Sequence, residues 1–388
     1  MKILDVLRNI NNKLSDKVVS SRVLSYSDQH DYLFSLPEPK NDIERSYYQY
    51  LCQVYSSENK VSLFVKNIAS ALMFPIYFHK KYTVKQNSAS IDSPSIYIMV
   101  NNKTDMLPDE LNDPQKLICV PYGDGFYLDN EDLKYIKAIK RKYPHEYYFV
   151  YKVLLKMGLY SSIMKTYSPS EIIVNAETSF TSSILTNYCE SKGITHTDVM
   201  HGEKVFWIRD SFFRFSKCYV WSDYHEQLFK SMRATKSKYI VSVPPAMRFD
   251  SSTNMYDKGK YVDYKFYLGY ETKETIERFK KIVSRLEKKG KTYLLRPHPV
   301  YTDMSIVYKY FSSKEIEDTK EIGIEESILS ARNVVSIFST VLRQAFNADI
   351  RVIVDNYSNV NKYKEMKDLK FWLYETDHIL LTDELKSL

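Results

Sequence analysis

Glycine is scarce in this chain, at 9 of 388 residues. No Gly-x-x-x-x-Gly-Lys-Ser/Thr loop and no Gly-x-Gly-x-x-Gly turn occurs, which argues against a P-loop NTPase and a classical dinucleotide dehydrogenase. A Gly-x-Ser-x-Gly elbow is also missing, so the common hydrolase reading loses its nucleophile. Cysteine is limited to Cys52, Cys119, Cys189 and Cys218, with no paired spacing, which disfavours a zinc site and a disulfide framework. The longest apolar run, Ile68 to Phe78, is too short to span a bilayer and contains Pro75. The amphipathic start "MKILDVLRNINNKL" has no secretory hydrophobic core or small-residue cleavage site, so the expected location is the cytoplasm or the cytoplasmic face of the inner membrane. No nucleic-acid-binding signature stands out, and none is expected as a partner. The net charge of +7 suits an anionic small ligand or an acidic membrane surface. No Asp-x-Asp occurs, so a nucleotide phosphate would have to be held without the usual divalent metal, and no cofactor is expected.

The chain is 44% hydrophobic and 27% charged, the balance of a globular protein long enough for two cores. Up to about Tyr82 apolar residues recur every three to four positions, which predicts a helical extension over 1–82. From there strands and helices alternate. "SIYIMV" (95–100) and "KLICVPYG" (116–123) read as strands, "EIIVNAETSFTSSILTNYCESKG" (171–193) as strand, polar turn and helix, and "ITHTDVMHGEK" (194–204) as a strand running into a polar loop. "KCYVWSDYHEQLFKSMR" (217–233) reads as strand and helix, and "KYIVSVPP" (238–245) as the last strand of the series. The stretch 246–262 loses periodicity and is the expected linker between a first domain, 1–245, and a second, 263–388. The second repeats the plan with "YKFYLGY" (264–270), a basic amphipathic helix over 273–290, "TYLLRPHP" (292–299), "RNVVS" (332–336) and "RVIVD" (351–355). Alternation of this kind predicts an α/β protein with two Rossmann-like domains, parallel sheets and a cleft between them.

Ligands of open parallel sheets bind beyond the carboxyl ends of the strands. Gly269, Arg296, His298, Pro299, Ser336, Ser339 and Thr340 fall at such ends in the second half, and His201 in the first. In Arg-Pro-His-Pro, the histidine can donate to a phosphate oxygen and Arg296 can add charge, or the prolines simply end a strand. Ser336, Ser339 and Thr340 precede a helix, where hydroxyls and free N–H groups suit an anion and equally suit capping. His201-Gly202-Glu203 has the residue types for general-base work on a hydroxyl, or is a surface loop. Asp124, between Gly123 and Gly125, is a third candidate base or part of a tight turn.

The order of these motifs resembles the donor-binding domain of bacterial GT-B glycosyltransferases. The groups it resembles are the sialyltransferases and polysialyltransferases, the capsular Kdo transferases and the CDP-glycerol glycerophosphotransferases. The resemblance covers about 170–355 and implies a GT-B-like pair of domains and a nucleotide-sugar donor. The acceptor it implies is a glycan or lipid-linked glycan of a surface polysaccharide such as capsule or O-antigen. It assigns His298 and Ser336, Ser339 and Thr340 to the CMP part of the donor, and Glu325 to the ribose hydroxyls. His201-Gly202 matches the pair that supplies the base in the glycerophosphotransferases. The two-acid-then-glycine motif of the sialyltransferases is absent, with only Gly123-Asp124-Gly125 present. The expected activity is inverting, metal-independent sugar transfer. Transfer of a polyol phosphate from a CDP-activated donor is the first alternative, and a non-catalytic assembly protein the second.

Overall fold

The computed structural model describes residues 24–57, 59–79, 97–100, 104–121, 125–249 and 261–388. Asp124 and most of the expected linker lie outside the described residues. The chain divides into two compact units, 1–201 with 207–242, and 202–206 with 243–388.

The first unit opens with helices α1 (Tyr26–Ser35), α2 (Asp42–Ser57) and α3 (Lys60–His79). The run Ile68 to Phe78 therefore sits inside a longer helix, with Pro75 accommodated in it. Among the described residues α3 alone is long and apolar enough to cross a membrane. Strands β1 (Tyr97–Val100), β2 (Leu117–Val120), β3 (Glu171–Val174), β4 (Thr195–Val199), β5 (Lys217–Val220) and β6 (Lys238–Val241) form a parallel sheet in the order 2-1-3-4-5-6. Helices α4 (Asn130–Lys142), α5 (Tyr147–Tyr167), α6 (Ser182–Ser191) and α7 (Asp223–Ser231) lie between them in sequence. Asp129 and Asp132 close α4 as a reciprocal capping box, each side chain accepting the other's backbone N–H. Ile98, Ile172, Ile173, Val174 and Cys218 are buried, as parallel strands covered on both faces require.

The second unit has strands β7 (Val262–Tyr267), β8 (Tyr293–Arg296), β9 (Ala331–Ser336), β10 (Arg351–Val354) and β11 (Ile379–Leu380), all parallel, in the order 11-10-9-7-8. Its helices are α8 (Lys273–Lys288), α9 (Met304–Val307), α10 (Ile324–Leu329), α11 (Thr340–Asn347), α12 (Val360–Asp368) and α13 (Leu381–Ser387). Helix α8 is capped by Thr272 and buries Ile276, Phe279, Ile282, Val283 and Leu286 against Phe266, Leu295 and Val335. Gly290 follows α8 at φ +67°, the left-handed conformation in which a side chain is strained. Both units are thus Rossmann-like α/β layers. In each the strand order reverses once, between β1 and β3 and between β7 and β9, which marks the carboxyl edge there as the place for a ligand.

Candidate functional site

The carboxyl edge of the second sheet collects most of the predicted residues. Tyr267 pairs with Arg296 and Phe266 with Val335, so Gly269, His298 and the 337–340 turn all lie just past aligned strand ends. Thr302, which the sequence does not mark, ties two of them together. Its Oγ1 accepts the His298 N–H at 2.8 Å and donates to the Gly269 carbonyl at 2.8 Å.

The His298 ring is fixed in a single role. Its Nδ1 accepts the backbone N–H groups of Val300 at 3.1 Å and Tyr301 at 3.2 Å, and the ring stacks on Tyr301 with centroids 4.4 Å apart. A nitrogen that accepts cannot carry the proton, so the proton sits on Nε2 and that atom is a donor. Partial burial lowers the imidazole's pKa, which favours the same neutral form. Pro297 is buried and Pro299 exposed on either side of this turn.

Arg296 takes a different part from the one its sequence position suggests. Its Nη1 reaches Glu317 Oε2 at 2.5 Å and its Nη2 donates to the Ile322 carbonyl at 3.0 Å. Lys265 Nζ meets Glu317 Oε1 at 2.5 Å, and also donates to the Ser327 carbonyl and the Ser330 hydroxyl. Ser327 donates to Glu317, and Tyr267 shares a hydrogen bond with Ser327. Burial alone would raise the Glu317 carboxyl, but Lys265, Ser327 and Arg296 together hold it below the usual range. The Arg296 charge is therefore balanced inside the unit, and the residue braces the strand end rather than offering a free cation. Through Ile322 it also fixes the start of α10, where Glu325 is exposed in the first turn.

The three hydroxyls also separate. Ser336 is buried and donates to the Tyr267 carbonyl at 3.0 Å, so it binds β9 to β7. Ser339 is the N-cap of α11, accepting the Val341 N–H at 3.2 Å. Ser339 and Thr340 remain half-buried at the helix start, the pair that can meet an anion there.

In the first unit, β3 and β4 are neighbours with Val174 opposite Asp198. The Asn175 amide donates to the Val199 carbonyl at 2.6 Å, and Asp198 accepts the Ala176 N–H at 2.7 Å. These contacts hold the two strand exits side by side. Glu177 follows one exit and His201 the other, and they meet with Glu177 Oε2 3.5 Å from His201 Nδ1. The carboxylate is fully buried while the imidazole is part exposed. At 3.5 Å the contact is an ion-pair approach rather than a hydrogen bond. A carboxylate on that side of the ring favours the tautomer with its proton on Nδ1, which would leave Nε2 as the base. Sequence reasoning treats Glu177 as one residue of a polar turn. The signal for it is its place after a strand adjacent to the one that ends at His201.

Glu203, expected beside His201 as a further base, is engaged elsewhere. Its Oε1 accepts from Arg343 Nε at 3.1 Å, both side chains are buried, and the Arg343 guanidinium lies 3.4 Å from the Trp372 ring centre. A carboxylate committed to a buried ion pair anchors a loop. Segment 202–206 groups with the second unit through this pair and through Phe206 N–H, which donates to the Leu369 carbonyl at 2.7 Å. Among the described residues no group of three His, Cys, Asp or Glu side chains is placed to hold a metal ion.

No protein-family model matches the chain, and no curated protein matches it. Solved structures do. The UDP-GlcNAc 2-epimerase of Methanocaldococcus jannaschii, in complex with UDP-GlcNAc and UDP, aligns at 11% identity and TM-score 0.41, over 73% of this chain and 93% of that one. The wall teichoic acid polymerase TagF, as its H548A variant, aligns at 10% identity and TM-score 0.45, over 85% and 88%. The glycotransferase of kitacinnamycin aligns at 10% identity and TM-score 0.42, over 74% and 86%. Scores this low leave the two sheets and their register as the basis for the fold.

Proposed function

We propose that the chain is a GT-B-type transferase that moves a group from a cytidine-activated donor to a hydroxyl of a glycan or lipid-linked acceptor in surface polysaccharide synthesis. The observation that carries this reading is the Glu177–His201 pair, a buried carboxylate behind a part-exposed imidazole at a sheet's carboxyl edge. His201 Nε2 takes the proton of the acceptor hydroxyl, and Glu177 stabilises the imidazolium that forms. The acceptor oxygen attacks the anomeric carbon of the donor, and the bond from that carbon to the nucleotide's phosphate oxygen breaks. The electron pair leaves on the phosphate, so CMP departs and configuration inverts. The His298 Nε2–H and the start of α11, with Ser339 and Thr340, receive the phosphate charge, and Glu325 suits the ribose hydroxyls. A monophosphate needs less neutralising than a diphosphate, so no metal is assigned.

Transfer of a polyol phosphate from a CDP-activated donor is the second reading, and one observation favours it. The base that acquires a buried partner is the histidine of His201-Gly202, the pair matched in the glycerophosphotransferases. In that reaction the acceptor oxygen attacks the donor's distal phosphorus and CMP again leaves, so the nucleotide contacts are the same. Acceptor-dependent CMP release from a CMP-sugar against a CDP-polyol separates the two. Release from neither, with no cytidine nucleotide bound, would favour a non-catalytic assembly protein.

A further inference from the structure

Helix α3 is apolar on its outward side as well as its inward one. Val61, Phe64, Val65, Ile68, Leu72 and Ile76 recur at three- and four-residue spacing and are 42–73% exposed. The inward side mixes apolar and polar groups, with the Tyr77 ring packed on those of Phe126 and Tyr151 at centroid distances of 5.6 and 5.8 Å. Ser70 is buried, and Asn67 Oδ1 accepts the Tyr148 N–H at 3.0 Å, capping the start of α5. Lys66 also turns inward, its ammonium 5.5 Å from the Tyr148 ring centre, with that of Lys152 5.7 Å from the same ring. A helix at a water boundary places its apolar stripe toward the core, so an apolar stripe of six large side chains facing outward needs a partner.

Charge identifies that partner. Residues 59–91 contain Lys60, Lys66, Lys80, Lys81 and Lys85 and no Asp or Glu. Helix α5, against which α3 packs, carries Lys152, Lys156 and Lys165 and again no acid. Burial and the neighbouring ammonium groups lower the Lys152 and Lys156 pKa values, Lys156 to about 8, as expected where cations gather. An exposed apolar stripe in a stretch, 59–91, whose Asp, Glu, Lys and Arg complement is lysine only matches the boundary between acyl chains and anionic headgroups.

We propose that α3 docks this protein on an anionic bilayer surface, lying in the plane of the interface with its Val61–Ile76 face among the acyl chains. The helix is long enough to cross a bilayer, but Asn67 and Tyr77 fasten it to Tyr148 and Tyr151 of α5, so it lies along the membrane and does not span it. This inference stands independently of the transfer chemistry.

Sedimentation of the full chain with vesicles tests it. Phosphatidylcholine vesicles containing phosphatidylglycerol should carry the protein down, pure phosphatidylcholine much less, and added salt should release it. The variant F64S/I68S/L72S should lose about tenfold or more of the vesicle affinity, since it removes half of the apolar stripe. Its melting temperature should hold, because the three side chains face outward. A tryptophan at the centre of the stripe (I68W) gives a second readout, a blue-shifted emission over the parent's on adding the anionic vesicles. Undiminished binding by the triple variant, or no shift for I68W, would overturn the proposal. So would a parent chain that is dimeric by light scattering, becomes monomeric in the triple variant and ignores vesicles, since the stripe would then join two copies.

Discussion

Replacing His298 with alanine removes one hydrogen-bond donor just past the end of β8 and leaves the strand itself unaltered. The ring's Nδ1 accepts from Val300 and Tyr301. Its loss therefore also frees two N–H groups, but Tyr301 and Val300 are exposed and water can take them. On the proposed donor role the main loss is an Nε2–H bond to a charged phosphate, worth about 1.5–3 kcal/mol, or roughly 13-fold to 160-fold in Kd. Isothermal titration of the full chain with CMP measures it directly. His298→Ala should weaken CMP within that range and keep the parent's melting temperature. Burial lowers the imidazole's pKa, so the neutral donor form extends below the ordinary histidine value, and its contribution to CMP affinity should be flat from about pH 6.5 upward. Unchanged CMP affinity in the variant would return His298 to a strand-ending turn, and binding that falls steeply between pH 7 and 8 would refute the neutral-donor assignment.

Other consequences are as direct. Glu177→Gln should lower kcat by about 10²–10⁴-fold with little change in donor KM, and its effect should not add to that of His201→Ala, because the two act as one unit. Additive losses would separate them. Glu317→Gln leaves Lys265 and Arg296 buried around a neutral amide and should destabilise the second unit by about 3–5 kcal/mol in denaturant unfolding; a cost below about 1 kcal/mol would refute the bracing role. His196, buried between Tyr160 and Thr186, is pushed down to about 3 by burial and by Arg214. Below about pH 6.5 the unfolded chain takes a proton that the folded one refuses, so stability should fall by about 1.4 kcal/mol per pH unit from this group, a slope that His196→Gln should remove. Turnover should survive EDTA, since side chains and a helix start are assigned to the phosphate; complete loss restored by magnesium or manganese would contradict that assignment.

The parallel-sheet elements are readable in the sequence because each strand is an apolar run ending in turn formers. "EIIV", "KCYV" and "YLLR" become β3, β5 and β8 as expected. Helices α4 and α5 are not readable in the same way. Helix α5 is apolar on nearly every side because it is packed on several, and an all-round pattern has no periodicity to detect. The C-terminal α12 and α13 are short and largely polar, and β11 is only two residues, too short for a pattern to show. At the site, positions were legible and roles were not. The strand-end rule locates Arg296, His298, Ser336 and His201, but only side-chain geometry shows that Arg296 and Ser336 are bound internally. Glu177 and His201 lie 24 positions apart and become neighbours through the β3–β4 register, which no local motif encodes.

The most direct test of the transfer reading is CMP release by the full chain, measured with a CMP-sugar and with a CDP-polyol in the presence of a lipid-linked glycan acceptor. The account predicts that one donor class yields CMP only when acceptor is present, and that His201→Ala abolishes release while still binding CMP. Acceptor-dependent release that persists undiminished in His201→Ala, or failure of every cytidine nucleotide to bind the parent chain, would contradict it.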